Sequence, residues 1–578
     1  MRQTALCLAL LVTACPNRHP GARPENNCVA GDTWTNWGRS ATHTGTACAQ
    51  AQPLTHIQSD LVYDPFAEAE KAEAGGDLLA HYQSPLVAGD ELFTESKEGQ
   101  YVSCSPPGGG KPAPCGAAAW DQQVWTEKKY AWNATGQLEL AWRAVSDWKP
   151  PPDANHLGGW EPVFHGALGP LYVYLPGAGG SVLVIDRSTG AQVRRIDPLH
   201  NPLAYVAGPI TADAGGNIVW TAVELTSASA PWTSEAHGCV MKATPDGAVQ
   251  MLELDAAIPA APAPTDRCEV SYPRPDPQNP PVLPLEDGSG NVQAPPTVPC
   301  GFQRPQLNAA PAIGPDGAIY VVTRTHRNER YGYLLALNPD LTPRWSTSLR
   351  GLVNDGCGVT VPRDDTGGHC HSNAAMGIDP DTGNGPAARA SDQSTASPVV
   401  LPDGKILYGA YAAYNGFRGH TLQFDSAGHF LHAYDFGWDT TPAFFEHDGT
   451  YSIVLKDNHY DTDGPYFLTQ LDAALNVEWK YQSTNTQSCA RQTDGSVACK
   501  NDHPGGFEWC VNALAIDADG VVYGNSEDGN LYSIYQGGNE RQRIFLGQAL
   551  GAAYTPLAID GRGRIYTQNS GHLYVVGQ

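Results

Sequence analysis

The chain has 578 residues, 62 of them Gly and 47 Pro, and only 16% are charged. About one residue in five is Gly or Pro, against roughly one in eight on average, which favours many turns joined by short strands. With 60 acidic residues against 35 basic ones the formal net charge is −25, which repels a phosphate backbone and excludes nucleic acid as a partner.

The N-terminal MRQTALCLALLVTAC carries one Arg, an apolar stretch too short to anchor in a bilayer, and small residues before Cys15. This predicts a signal peptide over 1–14. Val12-Thr13-Ala14-Cys15 also has the form of a bacterial lipobox, which predicts lipidation of Cys15 and a tether over 15–30. Ordinary cleavage after Ala14 is the alternative. Membrane attachment then runs through Cys15 alone, since no later segment is long and apolar enough for a spanning helix. Pro16 rather than Asp follows Cys15, which points to an outer-membrane lipoprotein facing the periplasm or the exterior.

The exported chain retains twelve cysteines once Cys7 leaves with the signal and Cys15 takes lipid, and even parity suits a disulfide framework in an oxidising compartment. Nearest-neighbour pairing joins Cys28 to Cys48, Cys104 to Cys115, Cys268 to Cys300, Cys357 to Cys370 and Cys489 to Cys499. Cys239 and Cys510 remain as a long-range pair, and other connectivities stay open.

From residue 31 onward one pattern recurs: a small residue or Pro, an apolar run, a turn Gly, and a second apolar run. It appears around Gly89, Gly169, Gly216, Gly317, Gly404, Gly449, Gly520 and Gly563. The compact spacings are 43 to 47 residues, the period of a four-stranded propeller blade. A second half follows, with a short strand, a polar turn and a last strand often bearing an aromatic, as in YLLALNPDLTPRWSTSL. The eight copies predict an all-β, eight-bladed β-propeller of four-stranded antiparallel blades over 31–578. The last copy lacks a fourth strand, and Asp32–Gly45 is expected to supply it, closing the ring and removing the exposed edge.

The second-half segments Asn338 to Trp345, Asp472 to Trp479, Asn133 to Trp142, and Asp186 to Thr189-Gly190 with Arg194 at the Trp position are degenerate forms of one docking motif. They resemble the pyrroloquinoline-quinone-like propeller repeat family, a resemblance that covers nearly all of the exported chain. It implies the propeller fold and leaves the chemistry open, because the family holds quinoprotein dehydrogenases as well as the lipoprotein scaffold of outer-membrane barrel assembly.

Insertions lengthen the chain at about 98–125, 255–305, 351–395 and 483–510. On a four-stranded meander, B-to-C loops and D-to-A connections share a face, so these insertions decorate one face and carry nearly every cysteine. Disulfide-stapled loops there predict a stiff binding surface; decoration without a ligand is the alternative. Aromatic and basic residues in the same loops are the anchors protein interfaces use. Trp232, Arg327, Tyr414, Arg418, His459, Tyr460 and Trp509 are the interaction-face candidates, about half of them expected to be exposed.

Clustered oxygens at Asp379 and Asp381, and at Asp461 and Asp463, suit Ca²⁺, although neither segment completes an EF-hand loop. Plain Asp/Asn/Gly turns are the other reading. His369 and His371 of HCHS, with His503, lack a third ligand at zinc spacing. The absence of a Cys-Cys dipeptide and of a Cys-x-x-Cys-His haem site weighs against a bound pyrroloquinoline quinone, and no Gly-x-Ser-x-Gly elbow is present. No resident cofactor is predicted. The sequence therefore reads as an exported, monomeric, non-catalytic binding or scaffold protein whose partner is an envelope protein or extracellular component. The alternative is a quinoprotein-type oxidoreductase with quinone and Ca²⁺ in the central funnel.

Overall fold

The computed structural model describes residues 33–578 except 74–75, 103–121, 152–159, 231, 274–281, 360–369, 461–463, 493 and 550–554. Eight antiparallel blades follow one another around a ring. Their innermost strands begin at Leu86, Ala167, Ala204, Gln303, Val399, Ala443, Ala515 and Ala558. In blades 3 and 4 the inner strand is split into two pieces, Ala204–Val206 with Thr211–Ala212, and Gln303–Pro305 with Ala312–Ile313, both pairing the same second strand. Alternating Val, Ile and Leu on the second and third strands fill the space between neighbouring blades. One short α-helix, Ala67–Glu73, is present among the described residues.

The predicted turn glycines sit between the first and second strands of the blades. Seven of the eight, all but Gly169, have φ between 64° and 81°, where a side chain would strain the backbone.

The ring closes through the N-terminus, though not through the expected segment. His56–Val62 pairs with His572–Gly577 and supplies the fourth strand of blade 8. Asp32–Gly45 was the wrong segment for that role because it is used at the ring axis. Residues 33–52 visit every innermost strand in ring order, which occupies them before the chain reaches the rim. Thr33 and Trp34 pair with Ala88 and Val87 of blade 1. Thr35 then accepts from the Leu168 amide of blade 2 at 2.9 Å, and Asn36 exchanges two hydrogen bonds with Ala212 of blade 3. The carbonyls of Ala41, Thr42, Thr44 and Gly45 accept from Ile313, Val400, Phe444 and Ile516 of blades 4 to 7, at 2.7 to 3.0 Å. Gln52 donates to the Gly563 carbonyl of blade 8 at 2.7 Å. This hub satisfies inward-facing backbone groups of the inner strands.

The docking motif joins neighbouring blades. The Trp142 indole donates to the Arg187 carbonyl at 3.0 Å and covers Gly190 of blade 2. Trp345 does the same to the Ser426 carbonyl and Gly428 of blade 5, also at 3.0 Å. Trp479 covers Gly538 of blade 7. Arg194, in the Trp position, donates to the Asp246 carbonyl at 2.8 Å and lies against Gly247 of blade 3.

Three of the expected disulfides form: Cys268–Cys300, Cys357–Cys370 and Cys489–Cys499. Cys48 is also disulfide-bonded. Cys28, Cys104 and Cys115 lie outside the described residues, as do 1–14, Cys15 and the tether. The Cys239–Cys510 pair does not form, and both are buried free thiols. Cys239 sits in the third strand of blade 3 and Cys510 just before blade 7, half the ring apart, whereas a disulfide needs Cα atoms about 4.4–6.8 Å from one another.

Gly428 and Gly404 both have positive φ, but a Cβ on Gly428 would lie 2.5 Å from the Trp345 ring, whereas Gly404 meets nothing closer than 3.9 Å. Gly404→Ala is expected to cost on the order of 1 kcal/mol from the backbone alone, and Gly428→Ala clearly more, because it also displaces the docked indole. Denaturant unfolding of the two variants makes the comparison.

Candidate functional site

The hub lies at the end of the ring where the first two strands turn. Toward the insertion face, the segments leading into the inner strands fill the axis with buried polar side chains. Asn308, between the two pieces of blade 4's inner strand, accepts from the Val163 amide of blade 2 at 2.9 Å and donates to the Asp392 carbonyl at 2.8 Å. Asn512 of blade 7 reaches Thr395 of blade 5 at 2.9 Å. His81 of blade 1 lies 3.8 Å from Asp439 of blade 6. Contacts that skip intervening blades in this way cross the centre of the ring. Trp37 of the hub joins the layer by donating to Thr441 at 3.0 Å, with its ring edge-on to His165.

Charges at the axis are matched against one another. Asp392 takes Arg304 through both oxygens, at 2.9 and 2.5 Å, and Arg324 at 3.0 Å. Asp439 has φ 45° and accepts from the Thr395 amide and hydroxyl at 2.5 and 2.6 Å. Burial alone would raise its carboxyl; interaction with His81, the Lys456 ammonium and Thr395 outweighs that and holds it below its ordinary range. Burial pushes Lys456 down, against the opposing pull of Asp439. His81 is stacked on Trp160, with centroids 4.7 Å apart. Beside blade 1, Lys97 pairs with Glu161, Asp64 and Glu70 at 2.7, 2.9 and 3.2 Å.

On the insertion face, two insertions fuse into one platform. The hairpin of Arg267–Glu269 with Thr297–Pro299, stapled by Cys268–Cys300, packs against the segment after Cys370. Tyr272 donates to the carbonyls of Gln293 and Thr382 at 2.6 and 2.8 Å. Glu269 receives Arg350 at 2.9 Å and Asn384 at 2.8 Å. Arg330 pairs with Asp379 and, at 3.1 Å, with Asp381; Arg389 adds a second contact to Asp381 at 3.0 Å. A second stapled hairpin, Gln487–Arg491 with Val497–Asn501, stands before blade 7. Disulfides of this kind belong to an oxidising, extracytoplasmic compartment.

This arrangement corrects two expectations. Asp379 and Asp381 are buried, and their carboxylates hold Arg330 and Arg389, so the local charge that Ca²⁺ would meet is already neutralised; Asp461 and Asp463 lie outside the described residues. The expected surface anchors are largely interior. Trp509 (0% exposed), Arg418 (1%), Tyr414 (3%) and Trp232 (9%) are buried. Arg418 bridges Asp435 and Asp457 at 2.7 Å each, and Trp509 packs edge-on to Tyr532. Tyr460 is partly buried against Phe436, and His459 lies 3.8 Å from Asp457. Arg327 is partly exposed and pairs with Glu235 at 2.9 Å. A wide loop on a propeller face folds back over the ring and buries its aromatics there. His371 is described and donates its amide to Leu283, His369 is not described, and His503 pairs with Asp502 at 2.7 Å.

Sequence reading missed the axial residues. His81 and Asp439 lie hundreds of positions apart and carry no shared motif; their one common signal is placement just before an inner strand. It also missed the exposed apolar residues of the platform, Met376 (73%), Val282 (45%) and Val292 (44%), and of blade 5 beside it, Phe417 (49%).

No protein-family model matches the sequence, and no curated protein matches it. Solved structures do match. A europium-containing methanol dehydrogenase superposes with TM-score 0.51 at 10% identity, covering 93% of this chain and 89% of that one. The quinohemoprotein alcohol dehydrogenase from Comamonas testosteroni gives 0.48 at 12% identity, covering 94% and 81%. BamB from Moraxella catarrhalis gives 0.41 at 11%, covering 90% and 99%. At these identities the likeness shows the propeller fold alone.

Two axial histidines make the centre acid-sensitive. His43 donates from Nδ1 to the Pro398 carbonyl at 2.6 Å, and burial lowers it to about 4; burial likewise lowers His165 to about 3, against an ordinary value of 6.5. Both bind protons more readily when unfolded, so their stabilising effect is complete above pH 6.5 and is lost as pH falls toward 4 and 3. Each contributes on the order of 3 kcal/mol to that loss. Thermal unfolding is expected to show stability dropping between pH 7 and 4, with a shallower drop in His43→Gln.

Proposed function

We propose that this chain is a non-catalytic binding or scaffold protein of the cell envelope. In this reading it is exported, anchored through lipid on Cys15, and presents its insertion face to a protein or other envelope component. The observation that carries the reading is the platform. Two insertions are joined by hydrogen bonds from Tyr272 to Thr382 and from Asn384 to Glu269, tied to blade 4 by the buried pairs of Arg330 with Asp379 and Asp381, and stapled by Cys268–Cys300 and Cys357–Cys370, and their outer surface exposes Val282, Val292 and Met376, with Phe417 of blade 5 nearby. A rigid surface loses little conformational freedom on binding, and exposed apolar side chains on a polar rim are what protein contacts use.

The axis adds support. A planar quinone bearing carboxylates requires an aromatic floor and cations able to meet those carboxylates. His81 covers Trp160, and Arg304 and Arg324 are both committed to Asp392. The axial residues as arranged do not fit such a group.

Site-specific photo-crosslinking in cells tests the reading. A photoreactive residue at Met376 or Phe417 is expected to capture one discrete partner, while the same residue at Leu171, 68% exposed on the opposite face, is expected to capture none. Equal capture at all three positions, or none at the platform, would contradict it.

A further inference from the structure

Away from the axis, three metal-ligating side chains converge between blade 5 and the insertion that precedes it. Asp355 lies in that insertion, two residues before Cys357, whose disulfide to Cys370 braces the loop. His420 opens the third strand of blade 5, His420–Phe424, and Asp435 follows its fourth, Phe430–Tyr434. His420 Nε2 is 2.6 Å from Asp355 Oδ2 and 3.7 Å from Asp435 Oδ1, and the side chains of all three are at most 1% exposed. One ligand atom from each lies within 4.8 Å of the other two.

Independent features point to a ligand here. Asp355 Oδ1 is buried and meets no donor at full hydrogen-bonding geometry; the neighbouring Tyr414 hydroxyl, which interacts with the Asp355 carboxylate, likewise completes no bond of that geometry. An unmet carboxylate oxygen at such depth is costly unless something else coordinates it. With His420 neutral, as a metal ligand must be, the surrounding charges do not cancel. Arg418 serves Asp435 and Asp457, and Lys480 serves Asp457 at 2.7 Å, so these three carboxylates, Asp355 included, outnumber the permanent cations by one. Outer contacts also hold Asp435 in place. Arg418 grips Asp435 Oδ2 at 2.7 Å, and Asn415, fixed by both backbone groups of Gly419, donates to Asp435 Oδ1 at 2.6 Å. Orienting partners of this kind are what metal ligands require.

We propose that Asp355, His420 and Asp435 form a binding site for a zinc-type divalent cation, with one imidazole nitrogen and two carboxylate oxygens as its protein ligands. Bond lengths of about 2.0–2.2 Å place tetrahedral ligand atoms roughly 3.4 Å apart, close to the separation of His420 from Asp435. The shorter His420–Asp355 contact opens by less than about 1 Å as the cation replaces the proton between them; that proton leaves to solvent. Oxygen-rich sites without imidazole would suit Ca²⁺ or Mg²⁺ instead. Because its ligands come from the insertion and from two strands of blade 5, the ion would tie the platform to the ring.

The test uses the full exported chain, stripped with chelator and titrated with Zn²⁺ by calorimetry and with Co²⁺ by absorption spectroscopy at neutral pH. The expected result is one stoichiometric site, visible d–d bands of low-coordinate Co²⁺, and proton release. Affinity should fall roughly 100-fold or more in Asp355→Asn and in His420→Gln, and stay unchanged in His429→Gln, which removes an exposed histidine beside Asp425. Absence of stoichiometric binding in the unsubstituted protein would overturn the proposal, a readout independent of how the variants fold. Binding that survives both ligand substitutions, or that follows His429, would be adventitious surface coordination and would overturn it equally.

Discussion

The hydrogen bonds between residues 33–52 and the inner edges of the eight blades are the constraint on which the rest of the structure depends. A propeller ring turns its inner strands toward a central shaft, where backbone N–H and C=O groups lack a further strand to pair with. Here the chain's own N-terminal segment meets them, one blade after another from Val87 and Ala88 to Gly563. The same segment then crosses to the rim and closes blade 8 through His56–Val62. Hub and closing strand are therefore one device, and a few successive turns of sequence fix both the axis and the ring. Gly45 illustrates how tight the fit is: it has φ +66°, and a Cβ there would lie 2.4 Å from that of Ala443.

Buried polar side chains occupy the shaft. With the hub at one end and the Asp392, Asp439 and Asn308 networks above it, the centre is a layer of buried polar side chains in which Asp392 is met by Arg304 and Arg324. Buried ion pairs of this density add little net stability but impose a unique arrangement, since each costs heavily if one partner is lost. Elaboration has gone instead into loops on the opposite face from the hub. There the disulfides and the Arg330–Asp379–Asp381–Arg389 lattice hold long connections that would otherwise be mobile.

Much of the fold was legible because its signals are local. A turn glycine flanked by apolar runs marks each junction of first and second strands, at positive φ in seven of the eight, and a Trp or Arg on the fourth strand marks four of the seams with the next blade. The closing strand was not legible: HIQSDLV has only weak alternation, and Asp32–Gly45, with two tryptophans, is the more strand-like of the two segments. Cys239 and Cys510 were joined by parity, an argument blind to their placement on opposite sides of a ring. Tyr414, Arg418 and Trp509 have the composition of surface anchors, but the loops that carry them fold inward, and burial is a property of the closed ring that no short window of sequence records. The sites built from distant segments, His81 with Asp439 and Asp355 with His420, were out of reach for the same reason.

The most direct test of this account of the axis is reconstitution of the purified protein with pyrroloquinoline quinone and Ca²⁺, followed by equilibrium binding and dye-linked dehydrogenase assays. The account predicts no stoichiometric quinone binding and no activity with alcohol substrates. Tight one-to-one binding accompanied by dehydrogenase turnover would contradict it and would place the function at the ring axis.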